Sequence, residues 1–440
     1  MTAPSTLSPA VGRTTRAMAA GRDAGWLLLG NAAAAATQWA VIVMLARLGG
    51  PDVVGRYAIG LAVSAPLILL AGLALRTVQV TDARSRYRFG DYLRLRLAGA
   101  AVALCGIAAV AMVFDAGTAA VVILVGAAKA LDAVGDIFCG LFQRHGRMRD
   151  IAVSMTVNGA ATLVAMTALL YLTGSAVWAV VGSVAASALA SLGYCVPASR
   201  RLRTGAAPDG GPATRLSTMV GLAGVALPLG LAGTVTSVAA NLPRYVVEDQ
   251  LGMTALGIFA ALGYVALGVN LVCGAAAQAI LPRLTRMYAD GQIERLRVLS
   301  HRLVLLCVLL AVLAVPATAL VGRPLLRLLY GAEYAEYAGI LVVLLPAVAL
   351  ASAAYFLDAA LSAARCFGNQ LAAAVTVTAA ALAAALLIPA YGLAGAAWAV
   401  AIPAFVQCGL KTALLRRVLR KRAATAPATP WPASDGGSGP

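Results

Sequence analysis

"GPDVVGRYA" at residues 50–58 and "GMTALGIFA" at residues 252–260 share the pattern G-x4-G-x-[YF]-A and stand 202 positions apart. Cys105 and Cys307 keep the same offset. Further along, Asp136 and Gly146 match Asp358 and Gly368 at an offset of 222, and Trp178 in "YLTGSAVWAV" (171–180) matches Trp398 in "YGLAGAAWAV" (391–400) at 220. One insertion accounts for the change: the external segment "GRPLLRLLYGAEYAEYA" (322–338) stands where the first half has only "DAGT" (115–118). Ordered matches with two consistent offsets make the chain an internal duplication, and the repeat decides the fold once the solvent is known.

That solvent is lipid. The 440 residues are 61% hydrophobic and 12% charged, with a mean hydropathy of +0.87. So little polar surface cannot keep a globular protein in water. Apolar runs of the length needed to cross about 30 Å of hydrocarbon recur along the chain. The expected fold is an all-α polytopic membrane protein of about twelve transmembrane helices, in two six-helix bundles. With an even number of helices each, the bundles share an orientation and are related by a pseudo-two-fold axis along the membrane normal. The predicted divisions are a cytoplasmic tail (1–24), a first bundle (25–202), a Gly/Pro-rich cytoplasmic linker (203–217), a second bundle (218–415) and a basic, then disordered, tail (416–440).

A net charge of +17 would suit nucleic acid if it were clustered on one folded face. Instead, 28 of the 34 Lys and Arg fall on the side of the N-terminal tail and five on the other, with Lys129 inside a span. This is the positive-inside bias of a multi-pass inner-membrane protein with both termini cytoplasmic, and it excludes nucleic acid as the explanation.

The fourth predicted span breaks the apolar rule. Within "AAKALDAVGDIFCGLFQRHGRMRD" (127–150), Lys129, Asp132, Asp136 and Gln143 fall within about 60° of one another at 100° per residue. Each charge near a span centre costs about 2.5–3.5 kcal/mol, so this stripe faces protein or water. It reads as the wall of a hydrated cavity, or as a Lys129–Asp132 ion pair that lets the helix insert. Asp358, at the repeat-equivalent position, has no cation within one turn of its own helix. Asp358, Asp136 and Asp132 are therefore the candidate ion-coupling residues, with H+ or Na+ as the coupling ion. Arg47, Arg76 and Arg244 close spans. Their guanidinium forks would suit a diphosphate if they point inward, or the lipid headgroups if they snorkel. Pro66, Pro228 and Pro316 within spans, and Pro243 near the end of one, permit bending.

Seven cysteines without a C-x-x-C read as small apolar residues. His145 and His301 lie in different loops, so neither metal nor cofactor is expected. No P-loop, G-x-S-x-G or H-E-x-x-H occurs, and the external loops are short apart from 322–338 with Glu333 and Glu336. A transporter is favoured over an enzyme.

The stretches "ARLGGPDVVGRYAIGLAVSAP" (46–66), "LALRTVQVTDARSRYRFGDYLRLR" (73–96), "NLPRYVVEDQLGMTALGIFAALGY" (241–264), "AILPRLTRMYADG" (279–291) and "LLYGAEYAEYA" (328–338), with the 129–154 segment, resemble the lipopolysaccharide and polysaccharide biosynthesis membrane proteins. These are the oligosaccharide flippases of the multidrug/oligosaccharidyl-lipid/polysaccharide exporter superfamily, and the resemblance covers about residues 20–420. It implies movement of a polyprenyl-diphosphate-linked oligosaccharide to the outer leaflet by alternating access, in company with polysaccharide polymerase and assembly proteins. It also implies cationic cavity residues that hold the diphosphate and sugar: Arg76, Lys129 and Arg244, then Arg47, with Gln143 beside them. The peptidoglycan-precursor branch has two further C-terminal helices that the twelve predicted spans lack, which disfavours that substrate. The alternatives are a cation-coupled multidrug exporter of the same fold and a membrane polymerase or ligase.

Overall fold

The computed structural model describes residues 9–82, 87–203, 216–265, 267–364 and 367–425. The linker residues 204–215, Arg365 and the tail 426–440 lie outside them, and so does the side-chain environment of Gly368. The described chain is helical: α1 (Pro9–Gly72), α2 (Leu75–Thr81), α3 (Phe89–Ala111), α4 (Ala116–Arg144), α5 (Met148–Thr173), α6 (Ala176–Ala188) followed by a π-helical stretch (Leu189–Cys195), and α7 (Val196–Arg203). The second half supplies α8 (Leu216–Val265), α9 (Leu267–Ala289), α10 (Ile293–Leu329), α11 (Ala332–Ala335), α12 (Ala338–Ala363), α13 (Phe367–Ala385) and α14 (Ile388–Thr425). α1 begins at Pro9 and α14 runs on to Thr425, so helix extends into the stretches read as cytoplasmic tails. The 322–338 insertion is likewise mostly helical, being the end of α10 and the short α11.

Among the described residues, eight helices are long and apolar enough to cross a membrane by length and composition. The difference from the expected twelve has a physical cause. Gly25–Thr81 is one continuous run even though α1 breaks at Gly50 (φ 73°, ψ −176°), and α8 breaks in the same way at Gly252 (φ 82°, ψ 178°). A third break falls at Gly392 in α14. α4, which carries the Lys129, Asp132 and Asp136 stripe, is not among the eight.

Gly50 and Gly252 are the first glycines of the two repeat motifs, and both occupy a backbone region that a side chain disfavours. The second glycines serve a different purpose. Gly55 packs on the Met253 carbonyl, and Gly257 packs on the Pro51 carbonyl. The two kinks thus interlock reciprocally, which is what an internal two-fold predicts. One apolar core surrounds them and draws on both halves, including Ile42, Tyr57, Val122, Met166, Phe259, Leu326, Tyr334 and Ala396.

Packing at the opposite, basic end is divided. Phe138, Phe142, Ile151 and Cys195 form a cluster confined to the first half. Leu284, Leu296, Cys307, Phe356 and Leu419 belong to another confined to the second. A small cluster of Leu75, Tyr92 and Ile137 with Leu222 and Ala226 of α8 links the halves there. The molecule is thus tied broadly along its kink end and joined only by this small cluster and the Leu73–Gly230 contact toward its basic end.

Arg47 strengthens the tie. Its Nε donates to the Leu329 carbonyl at 2.9 Å, and its Nη2 donates to the carbonyls of Arg327 and Leu328. These carbonyls close α10 and lack intrahelical donors, so a cation satisfies them. Arg47→Ala should cost about 1 kcal/mol of stability, seen as a lower melting temperature in detergent. At the same end Asp115 caps α4, accepting from the Thr118 hydroxyl at 2.7 Å and the Thr118 N–H at 3.1 Å. These bonds, more than nearby Arg56, hold its carboxyl below the usual carboxylate range.

Candidate functional site

A cavity of about 300 Å3 lies within the first half, walled by α1, the start of α2, α4, α5, α6 and the π-helical stretch. The predicted stripe of α4 faces it. Lys129, Asp132 and Asp136 line the cavity, as does Arg76 from α2. Arg76 arrives there because the chain turns sharply at Leu73 and Ala74, both with positive φ, and the backbone of Leu73 rests against Gly230 of α8.

Each charge has a partner. Lys129 Nζ donates to Asp132 Oδ2 at 3.0 Å, and Asn158 Nδ2 donates to Asp132 Oδ1 at 2.9 Å. Arg76 Nη1 donates to Asp136 Oδ1 at 2.6 Å, while its Nε and Nη2 reach Gln143 Oε1 at 3.3 and 3.1 Å. All four ionised side chains are only partly covered, between 26% and 38% exposed. Both readings of the stripe therefore hold at once: Lys129 and Asp132 pair, and the pair faces the cavity.

The remaining lining is hydroxyl and amide. Ser154, Asn158 and Thr162 follow one another at i, i+4 on α5, and Ser183, Ser187 and Ser191 do so along α6 and the π-helical stretch. Thr37 and Gln38 of α1 complete the polar wall, and Gln38 Nε2 donates to Tyr264 Oη of the second half at 3.2 Å. The widened π turn lets Ser191 approach α4, where its hydroxyl donates to the Leu131 carbonyl at 2.8 Å. None of these neutral residues was singled out in the sequence. The angular arithmetic that found the α4 stripe finds both of these stripes when Ser, Thr and Asn are included.

Other predicted residues lie elsewhere. Arg47 ties the halves at the kink end and does not line the cavity. Arg244 is also absent from the lining, and its Nη1 donates to Asn241 Oδ1 at 2.7 Å within α8. Gln143 touches the site only through Arg76. Asp358 is not the solitary carboxylate its own helix suggests: Lys411 of α14 donates to its Oδ2 at 2.8 Å. Spacing along one helix cannot reveal a partner 53 residues away.

With two cations and two carboxylates, the cavity is formally neutral. Charged and neutral donors and acceptors alternate around it, a surface that can hydrogen-bond polyhydroxylated matter from many directions. An anion would first have to displace Asp132 or Asp136 from a bound cation.

Comparison with known proteins agrees with this architecture. A family model described as "Polysaccharide biosynthesis protein" matches residues 20–288. The "Capsular polysaccharide biosynthesis protein CapF" of Staphylococcus aureus is 24% identical over 391 residues, covering 88% of this chain and 96% of that protein. Among solved structures, the chain is similar to a multidrug resistance MATE family transporter of the MOP superfamily in its inward-facing conformation. The TM-score is 0.71 at 13% identity, over 89% of this chain and 95% of that one. It is also similar to the lipid II flippase MurJ in an inward closed conformation, with a TM-score of 0.66 at 10% identity over 93% and 89% of the two chains. At such identities these structures establish the fold and nothing finer.

Proposed function

Because the chain belongs to the polysaccharide biosynthesis protein family of the MOP superfamily, we propose that it is a flippase for a polyprenyl-diphosphate-linked oligosaccharide that feeds an extracellular polysaccharide such as capsule or lipopolysaccharide. It crosses the inner membrane twelve times, in two six-helix bundles (25–202 and 218–415) joined by the 203–217 linker, with both termini cytoplasmic. The basic end is then the cytoplasmic end, and the arrangement described above, closed at the kinks and only narrowly joined toward the basic end, is the one that receives substrate from inside.

The observation that carries the proposal is the neutral, hydroxyl-rich cavity inside an otherwise apolar membrane protein. A flippase must shelter sugar hydroxyls from hydrocarbon, and a paired cation and carboxylate serve sugars well because one donates and the other accepts. Arg76, Lys129 and Gln143 are assigned to the glycan together with Asn158, which also orients Asp132. Asp132, Asp136 and Asp358 remain the proposed proton or sodium sites. The polymerase and assembly proteins would act on the product at the outer leaflet.

The test is mass spectrometry of lipid extracts from a deletion strain, with a leaflet assay of any accumulated polyprenyl-diphosphate glycan. Complete single repeat units held on the cytoplasmic leaflet are expected. Arg76→Ala, Lys129→Ala and Asn158→Ala should each lower transport about 10- to 100-fold, as expected for hydrogen bonds to charged groups worth about 1.5–3 kcal/mol. Single units gathering on the outer leaflet would instead indicate a polymerase or ligase. An unchanged lipid profile in a strain without a second flippase would sink the proposal and favour export of another solute.

A further inference from the structure

A second cavity, of about 390 Å3, opens at the basic end of the other half, between the first turns of α10 and the last turns of α14. Arg297 and His301 lie one turn apart on α10, Arg416 and Arg420 lie one turn apart on α14, and Arg302 stands beside them. All five line the opening and all five are exposed. Arg416 and Arg420 are like charges at i, i+4, which repel, so α14 gains nothing from this placement. Glu294 is 3.5 Å from Arg297, with both side chains more than half exposed. Among the described residues, Arg302, Arg416 and Arg420 take part in no ion pair. Asp358 is already held by Lys411 of α14.

The floor differs from the rim. Leu415 and Leu419 are buried there, and Ser300, only 4% exposed, contributes a hydroxyl with no hydrogen-bond partner among the described residues. A buried hydroxyl without a partner is costly, and a bound acceptor would satisfy it. Uncompensated arginines around a polar point, over an apolar floor, form a receptor for an oxyanion attached to a hydrocarbon chain. Guanidinium forks match phosphate oxygens, and basic pockets between membrane helices suit phosphorylated headgroups.

We propose that this cleft binds the phosphate group of an anionic lipid. The five basic side chains surround the headgroup, Ser300 donates to a phosphate oxygen, and the leucine floor takes the first carbons of the chain. The glycan cavity is neutral, so the negative charge of a lipid-linked substrate finds its counter-charge here, in the second half. That last step rests on the flippase reading; the binding site itself does not. The same chemistry is offered by a bilayer phospholipid and by an isoprenoid diphosphate.

The experiment is native mass spectrometry and calorimetry of the purified full-length protein in phosphatidylcholine nanodiscs. The probes are phosphatidylglycerol, farnesyl diphosphate and inorganic pyrophosphate. Wild type should bind one or both lipid probes, and the Arg416→Gln/Arg420→Gln variant should bind about 10- to 30-fold more weakly. Ser300→Ala leaves every charge in place and should weaken binding about 3- to 10-fold. Melting temperatures equal to wild type show that the variants are folded. Arginine-dependent binding of phosphatidylglycerol alone assigns the site to the bilayer, and of farnesyl diphosphate to the substrate. Binding that ignores both variants, no binding of either lipid, or pyrophosphate bound as tightly as the lipids would overturn the proposal. None of these outcomes bears on the lipid-accumulation experiment, so the two readings fail separately.

Discussion

In a Gly257→Ala variant the two halves are expected to separate at the kink end, and the protein should melt at lower temperature. The added Cβ would collide with the Pro51 carbonyl and stand 2.9 Å from the Gly55 nitrogen. Both obstacles are backbone, so no rotamer change relieves the clash and a helix must move. Overpacking of this kind costs about 1–3 kcal/mol, occasionally more. The same energy shifts a two-state equilibrium about 5- to 150-fold toward conformers in which the kinks are apart.

A reporter can separate opening from general damage. Ala58 is 2% exposed in the core shared by both halves. In a background without native cysteines, Ala58→Cys should react slowly with maleimide, and at least about fivefold faster once Gly257→Ala is added. Gly55→Ala should act in the same way through the Met253 carbonyl. The double variant should fall short of additivity, because both substitutions break one contact. Gly224, on the same helix with nothing within 4 Å of its would-be Cβ, provides the control, and Gly224→Ala should leave labelling unchanged. Equal labelling in all variants would mean that the interlocked kinks do not hold the closed end.

This prediction was half legible in the sequence. The paired G-x4-G motifs announced a duplication, but nothing in them said that the first glycine bends the chain and the second admits the partner's backbone. Local patterns read well throughout: the α4 stripe predicted a polar wall, and the wall is there. Cross-helix partners did not read. Arg76 meets Asp136 across 60 residues and Lys411 meets Asp358 across 53, distances at which period and spacing carry no information. Arg47 was ambiguous for another reason. An arginine at a span end can snorkel, bind an anion or close another helix, and only the position of the α10 terminus selects the third. The π-helical stretch was invisible because widening one turn requires no particular residue, yet it brings Ser191 to α4. The serine stripe was visible and passed over, since hydroxyls cost little in a membrane helix and so attract no notice.

Asp358→Asn should be strongly destabilising, and the reason lies with its partner. Lys411 is only 7% exposed while Asp358 is 43% exposed, so removing the carboxylate leaves a buried ammonium without its counter-charge. Breaking a buried pair from one side costs about 3–5 kcal/mol, and the half-open carboxylate places this pair at the lower end. Lys411→Met strands the better-hydrated member and should cost less. Asp358→Asn/Lys411→Met removes both charges and should recover most of the loss, giving a coupling energy of about 1–3 kcal/mol in a thermal or denaturant double-mutant cycle. Transport separates structure from ion coupling. A purely structural pair predicts that the double variant regains transport along with stability. A coupling carboxylate predicts a stable double variant that still fails to respond to a proton or sodium gradient, because restored packing cannot replace a group that must gain and lose a cation. A double variant that is stable and fully gradient-driven would remove Asp358 from the proposed coupling sites and leave Asp132 and Asp136, which line the first-half cavity, to carry that role.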